Sequence, residues 1–148
     1  MLYTVGEMAK RMGVSASTLR YYDQEGLLPF VERSSGGMRM FKESDYEWLK
    51  IIECLKKTGM PLKDIRGFIL MAIKGDETID ARLALIIKQQ EAVSRQIEEL
   101  RETLDTLDFK RWYYETAKDA GTTDVPRNMP LDALPERFRE TRRRLRGE

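Results

Sequence analysis

From Thr78 onward, apolar residues recur at alternating steps of four and three: Ile79, Leu83, Ile86, Gln90, Val93, Ile97, Leu100, Leu104 and Leu107, continuing to Arg111 and Tyr114. This is a heptad seam, and it demands one long helix. At about 1.5 Å per residue such a helix is on the order of 60 Å long. Its apolar stripe is too narrow to bury within a globule and too continuous to stay in water, so it needs a partner helix. No other stretch of the 148 residues is long enough to supply one, so the expected partner is the same helix of a second copy. An intramolecular helical hairpin is the alternative. Gln90 interrupts the seam with a polar side chain of the kind that sets register at some cost in stability.

Upstream, the punctuation is that of short helices. Thr4 and Glu7 have capping-box spacing, and Gly13 stops the helix that follows. Ser15 then caps a second helix running to about Glu25, with Gly26 as its stop. Two short helices across a Gly-Val-Ser break suggest a helix-turn-helix, with Ala9 allowing close approach and Val14 and Leu19 clamping the turn. Ser34-Ser35-Gly36-Gly37, between Arg33 and Met38-Arg39-Met40-Phe41, predicts a small β-hairpin, the only strand signal in the chain. Ser44 and Glu47 suggest another capping box, opening a helix with Trp48, Ile51, Ile52 and Leu55 on its inner face. After the turn at Met60-Pro61, a fourth helix is expected from Leu62 to Ile73.

Charge divides along the chain in the same way. Residues 1–75 carry 12 Lys and Arg against 9 Asp and Glu, or +3; residues 76–120 carry 7 against 11, or −4; residues 121–148 carry 7 against 5, or +2. A basic head before an acidic helix is expected where only the head meets phosphate. The chain has no histidine and a single cysteine, which removes the usual triads, the commonest metal ligand and any internal disulfide. No enzyme, metal site or cofactor is therefore expected. Neither a signal peptide nor a membrane-length apolar run is evident, so the expected location is cytoplasmic. Residues 121–148, with Pro126, Pro130 and Pro135, read as an irregular linker ending in the basic run Phe138 to Arg146, which can form a short helix; a solvated tail is expected, with folding back on the acidic coil or touching DNA as the alternatives. The expected organisation is thus a head over 1–75, a coil over 76–120 and a tail over 121–148.

The stretches TVGEMAKRMGVSASTLRYYDQEGLLP, GMRMF and LKKTGMPLKDI closely resemble the N-terminal region of the MerR family of transcription regulators. Leu19-Arg20-Tyr21-Tyr22 followed by Gly26-Leu27 is the most specific part of the match, which extends over roughly residues 3–118. The resemblance implies a mainly α fold: a winged helix-turn-helix head with a β-hairpin wing, then a dimerisation helix in an antiparallel coiled coil. It also implies a homodimer that binds a pseudo-palindromic operator in double-stranded promoter DNA. Bending and untwisting an overlong promoter spacer would then let RNA polymerase engage both of its elements. The helix from Ser15 would be the recognition helix, with Ser15, Ser17 and Thr18 toward base edges, Arg20 toward a guanine edge or a phosphate, and Tyr21 and Tyr22 toward backbone and sugar. One of those two rings is expected in the core, and either can take that place. Arg39 on the first wing and Lys63 beside the second would clamp phosphates.

Met38 and Phe41 stand where the family usually has wing tyrosines, which puts one phosphate contact in question. The extra cysteines of metal-sensing members are missing, and no sizeable ligand-binding domain is expected after residue 120. The stretch from Gly75 to Arg82 is most similar to small members that respond to aldehyde or thiol stress. Cys54 is accordingly the candidate redox or electrophile sensor, expected at the margin of the core with Lys50 and Lys57 one turn to either side. The competing reading is a cysteine that only packs. The inducer, a reactive electrophile on this resemblance, is otherwise unassigned. A DNA-architectural or recombination-accessory protein, and a coiled-coil interaction protein whose head has lost DNA binding, are the alternatives to a regulator.

Overall fold

A computed structural model describes all residues, 1–148. The chain forms two compact units, Met1–Val93 and Ser94–Glu148, and the division falls inside the long helix.

In the first unit a short strand, β1 (Leu2–Thr4), leads into α1 (Val5–Met12) and α2 (Ala16–Gln24). The capping box forms as expected: the Glu7 amide donates to Thr4 Oγ1 at 3.3 Å, and the Thr4 amide donates to Glu7 Oε2 at 2.8 Å. The Thr4 amide, and after it the Thr4 hydroxyl donating to the same oxygen at 2.9 Å, lower the pKa of the Glu7 carboxyl. Gly13, at φ 71°, takes the left-handed conformation, and the Val14 amide reaches back to the Ala9 carbonyl at 3.0 Å. A side chain at Gly13 would be strained there, so this turn depends on glycine.

The wing consists of β2 (Glu32–Arg33) and β3 (Arg39–Lys42), paired antiparallel with Arg33 opposite Arg39. It is not the only strand pairing. Residues 2–4 pair with β3 on its other edge, Tyr3 opposite Phe41, giving the sheet order β1-β3-β2. Three residues are too few to show period-2 patterning, so β1 could not be read from sequence.

Helices α3 (Glu43–Lys57) and α4 (Leu62–Lys74) complete the head. Helix α3 begins before Ser44, and Asp45, not Glu47, caps it by accepting the Lys42 amide at 2.7 Å. The centre of its inner face is Leu49 with Ile52 and Leu55, all buried. Trp48 is only partly buried, between the rings of Phe30 and Phe68. One core joins Met8, Leu19, Tyr22, Leu27, Phe41, Leu49, Ile52, Ile65 and Ile69. Leu85, near the start of α5 (Ile79–Ala120), packs against it. Before α5, a 3₁₀ turn at Asp76–Thr78 is tied down by Thr78, whose hydroxyl lies 2.6 Å from the Met71 carbonyl and receives Arg82 Nε at 3.0 Å. The seam side chains Ile79, Leu83 and Ile86 remain exposed on α5, as do Ile97, Leu100, Leu104, Leu107 and Tyr114 further along it.

The second unit corrects the expectation of an irregular, solvated tail, although the basic run does form the short helix anticipated for it. Residues 121–148 contain α6 (Asp124–Asn128), a 3₁₀ turn (Leu131–Ala133) and α7 (Glu136–Arg146). Phe109 of α5, Leu134 and Phe138 are buried together, with Trp112, Tyr113 and Met129 around them. The prolines are helix starters: Pro130 and Pro135 immediately precede the 3₁₀ turn and α7, and Pro126 lies in the first turn of α6, where a missing N–H costs nothing. The basic run is also partly structural. Arg142 is buried, donating to the carbonyls of Met129 and Arg127, and Arg144 donates to the Glu102 carbonyl at 3.2 Å and Thr106 Oγ1 at 3.0 Å. No helix is long and apolar enough to cross a membrane.

Candidate nucleic-acid interface

Helix α2 has two faces of different chemistry. Leu19 and Tyr22 point into the core and hold the helix; Ser15, Ser17, Arg20 and Tyr21 lie on the exposed side. Ser15 Oγ accepts the Thr18 amide at 3.2 Å as the N-cap and lies 2.8 Å from both Ser17 Oγ and Thr18 Oγ1. The helix therefore opens with a cluster of three hydroxyls that can donate or accept, at an N-terminus whose partial positive charge favours phosphate. Arg20, one turn on, is exposed and makes no hydrogen bond or ion pair, leaving its planar fork of donors available.

The two tyrosines separate cleanly. Tyr21 is 45% exposed. Tyr22 is 1% exposed, so its expected role at the DNA backbone is corrected: it is a core residue. Its hydroxyl donates to Glu53 of α3 and receives Lys56 Nζ at 3.3 Å. Burial, then the Glu53 carboxylate, raises the Tyr22 pKa. The helical period explains the split, because Tyr22 lies one turn from the buried Leu19 and Tyr21 does not.

Around α2 the basic residues differ in freedom. Arg39 on the wing is not free: its Nε donates to Asp23 Oδ2 at 2.6 Å, and Arg33 Nη2 reaches the same oxygen at 3.0 Å. Lys63, in the first turn of α4, is exposed and unpaired. It rims a groove of about 660 Å³ floored by Met60, Phe68, Met71 and Leu85. Arg11 is committed elsewhere, bonded to Glu43 at 2.6 Å and stacked 4.4 Å over the Tyr46 ring, with the Tyr3 ring at 5.4 Å. Arg11, and after it the Tyr3 hydroxyl, draw the Glu43 carboxyl down to about 2. Asp23, Arg33 and Glu53 were not legible as site residues, since acidic residues near a DNA-binding helix carry no sequence signal of what they pair with.

Cys54 is exposed, not at the margin of the core. The buried residues of α3 recur as Asp45, Leu49, Ile52 and Leu55, and Cys54 falls outside that stripe. A face centred on Trp48 puts Cys54 at the rim, whereas the buried face is centred one residue on, at Leu49, and leaves Cys54 in solvent.

A helix-turn-helix with a hairpin wing and an unpaired arginine on its second helix defines a winged-helix DNA-binding protein. Comparison with known proteins gives the family. Residues 3–71 match the model of the MerR HTH family regulatory protein, and residues 46–108 match that of the MerR DNA-binding region. The chain belongs to the MerR family and is a DNA-binding transcription regulator. It is 45% identical over 136 residues to an uncharacterized HTH-type transcriptional regulator of Haemophilus influenzae, covering 92% of this chain and 98% of that one. The crystal structure of HiNmlR, a MerR family regulator lacking the sensor domain and bound to promoter DNA, is similar with a TM-score of 0.75 and 46% identity, over 84% of this chain and 99% of that one. A MerR family regulator from Bacillus thuringiensis gives a TM-score of 0.68 and 39% identity, over 80% of this chain and 99% of the other.

Proposed function

We propose that two copies of the chain join through the α5 seams in an antiparallel coiled coil and bind a pseudo-palindromic promoter operator in the cytoplasm. Each α2 lies in a major groove, with Ser15, Ser17, Thr18 and Arg20 toward base edges and Tyr21 toward the backbone. Arg39 and Lys63 contact phosphates outside the groove. The pair of heads bends and untwists an overlong spacer so that RNA polymerase engages both promoter elements. The observation that carries this reading is the two-faced α2: Leu19 and Tyr22 anchor it, while the hydroxyl cluster and the unpaired Arg20 lie outward. The exposed apolar seam from Ile79 to Leu107 supports the dimer, since such a stripe is stable only when covered. Exposure of the single thiol, Cys54, supports its access to a reactive electrophile as the signal.

Fluorescence anisotropy on DNA from upstream of the chain's own gene tests the reading. Arg20→Ala should weaken operator binding by about 1–3 kcal/mol while sparing nonspecific duplex. Lys63→Ala should weaken both alike and flatten the salt dependence by about one counterion per half-site. Unchanged operator affinity in Arg20→Ala at moderate salt would refute the placement of the recognition helix.

A further inference from the structure

The outer edge of the wing is two residues of β2 on β3, too little to fix the angle of β2 and the tip, whereas β3 itself is held by β1 and by the buried Phe41. Its one facing pair near the tip makes matters worse, because Arg33 stands directly opposite Arg39, and like charges opposed across a ladder repel. The neutralising group comes from outside the wing. Asp23, on the last turn of α2, presents one oxygen to both guanidinium groups, at 2.6 Å from Arg39 and 3.0 Å from Arg33. The carboxylate is 19% exposed and Arg39 is 21% exposed, so this is a sheltered contact, less screened than an open surface ion pair. Arg33 continues the chain of bonds to the wing tip, its Nη1 donating to the Gly37 carbonyl at 3.0 Å. The tip is closed by the Ser34 amide on the Met38 carbonyl at 2.8 Å.

We propose that Asp23 is the positioning residue that locks the first wing to the recognition helix, making the two a rigid pair of jaws for DNA. This rests on the assignment of α2 and the wing to DNA binding made above. An acidic side chain beside phosphates weakens DNA binding electrostatically, so its place here is explained by what it holds. Arg39 spends its Nε on Asp23 and retains its Nη donors for a phosphate. With the wing fixed, groove contact and phosphate contact are made at one spacing only, and the DNA must deform to satisfy both. Sequence preference then arises partly from deformability, at positions the protein does not touch. A free wing would follow the undeformed duplex and lose that discrimination.

The test compares Asp23→Asn, a near-isosteric neutralisation, with Glu25→Gln, which removes one negative charge from an exposed residue at the same helix end that has no ion pair. Both variants should bind nonspecific duplex more tightly, because each gains a unit of positive charge. Only Asp23→Asn should lower the operator-to-nonspecific affinity ratio, by about tenfold, and reduce the DNA bend read by end-to-end energy transfer. Arg33→Gln, which cuts one arm of the tie and leaves the carboxylate paired with Arg39, should lower both readouts by a smaller factor and covers the case of a poorly folded Asp23→Asn. Asp23→Asn and Arg33→Gln indistinguishable from Glu25→Gln in ratio and bend, with Arg20→Ala still erasing operator preference, would overturn the proposal. Should Arg20→Ala also leave that preference intact, the assignment of α2 falls, and the proposal with it.

Discussion

Tyr22→Phe separates a residue that builds the head from one that reads DNA. The substitution removes one oxygen and leaves the ring in place between α2 and α3. The lost hydroxyl is buried, donates to the Glu53 carboxylate and accepts from Lys56 Nζ. A hydrogen bond to a charged group is worth about 1.5–3 kcal/mol when sheltered. Glu53 is only half-buried, so water recovers part of its loss, and a destabilisation of about 1–2 kcal/mol is expected. For a unit of this size that is roughly 5–10 °C in Tm. Thermal melts at one fixed protein concentration read the change, since dimerisation makes Tm depend on concentration. Operator affinity of the folded variant, measured well below its Tm, should match the parent. Tyr21→Phe should behave in the opposite way, with unchanged Tm and weaker operator binding. A Tyr22→Phe protein with the parent's Tm and weakened DNA binding would refute the assignment of Tyr22 to the core. Raising the pH adds a second reading. The folded Tyr22 holds its proton above the ordinary tyrosine pKa of 10.0, so its contribution to stability is complete below pH 10 and fades as pH rises toward the folded pKa. Tyr22→Phe should show less of that alkaline loss.

Replacing Leu100 and Leu104 together with Asp puts charge into the proposed seam at a cost of several kcal/mol in order of magnitude, and light scattering should report a monomer with no tight operator binding; an unchanged dimer mass would remove the coiled-coil assignment. Glu43, held at about 2 against an ordinary 4.5, contributes stability that is present above about pH 4.5 and is lost as pH falls toward 2. Glu43→Gln should flatten this acid limb in urea titrations across that window, and an identical limb in both proteins would mean the Arg11 contact contributes nothing. Cys54→Ser should keep operator affinity but lose the change in promoter output on aldehyde challenge; an unchanged induction ratio would leave the thiol without a sensing role.

The sequence alone determined the elements whose cause is local. Thr4 with Glu7, Gly13, and Ser15 with Gly26 mark helix ends because capping bonds and left-handed turns lie within a few residues of each other. The steps of four and three from Ile79 to Leu107 specify a long helix with one sticky face, because a helix repeats its own surface. Together with Leu19-Arg20-Tyr21-Tyr22, these marked out the helix-turn-helix. What depended on distant contacts was decided only in three dimensions. Which tyrosine is buried follows from the face of α2 that packs into the core, the one carrying Leu19 and Tyr22, and the Tyr22 hydroxyl then meets Glu53, 31 residues away. Whether Arg39 is free follows from Asp23, 16 residues before it, and whether three residues at the start become a strand follows from the open edge of β3. The C-terminal segment illustrates the same limit: its prolines and arginines read as solvated tail, yet Phe138 finds Phe109 and Trp112, and Arg142 finds backbone carbonyls. Burial of so few apolar side chains leaves no periodic trace in sequence, because the partner that makes them a core lies on another helix.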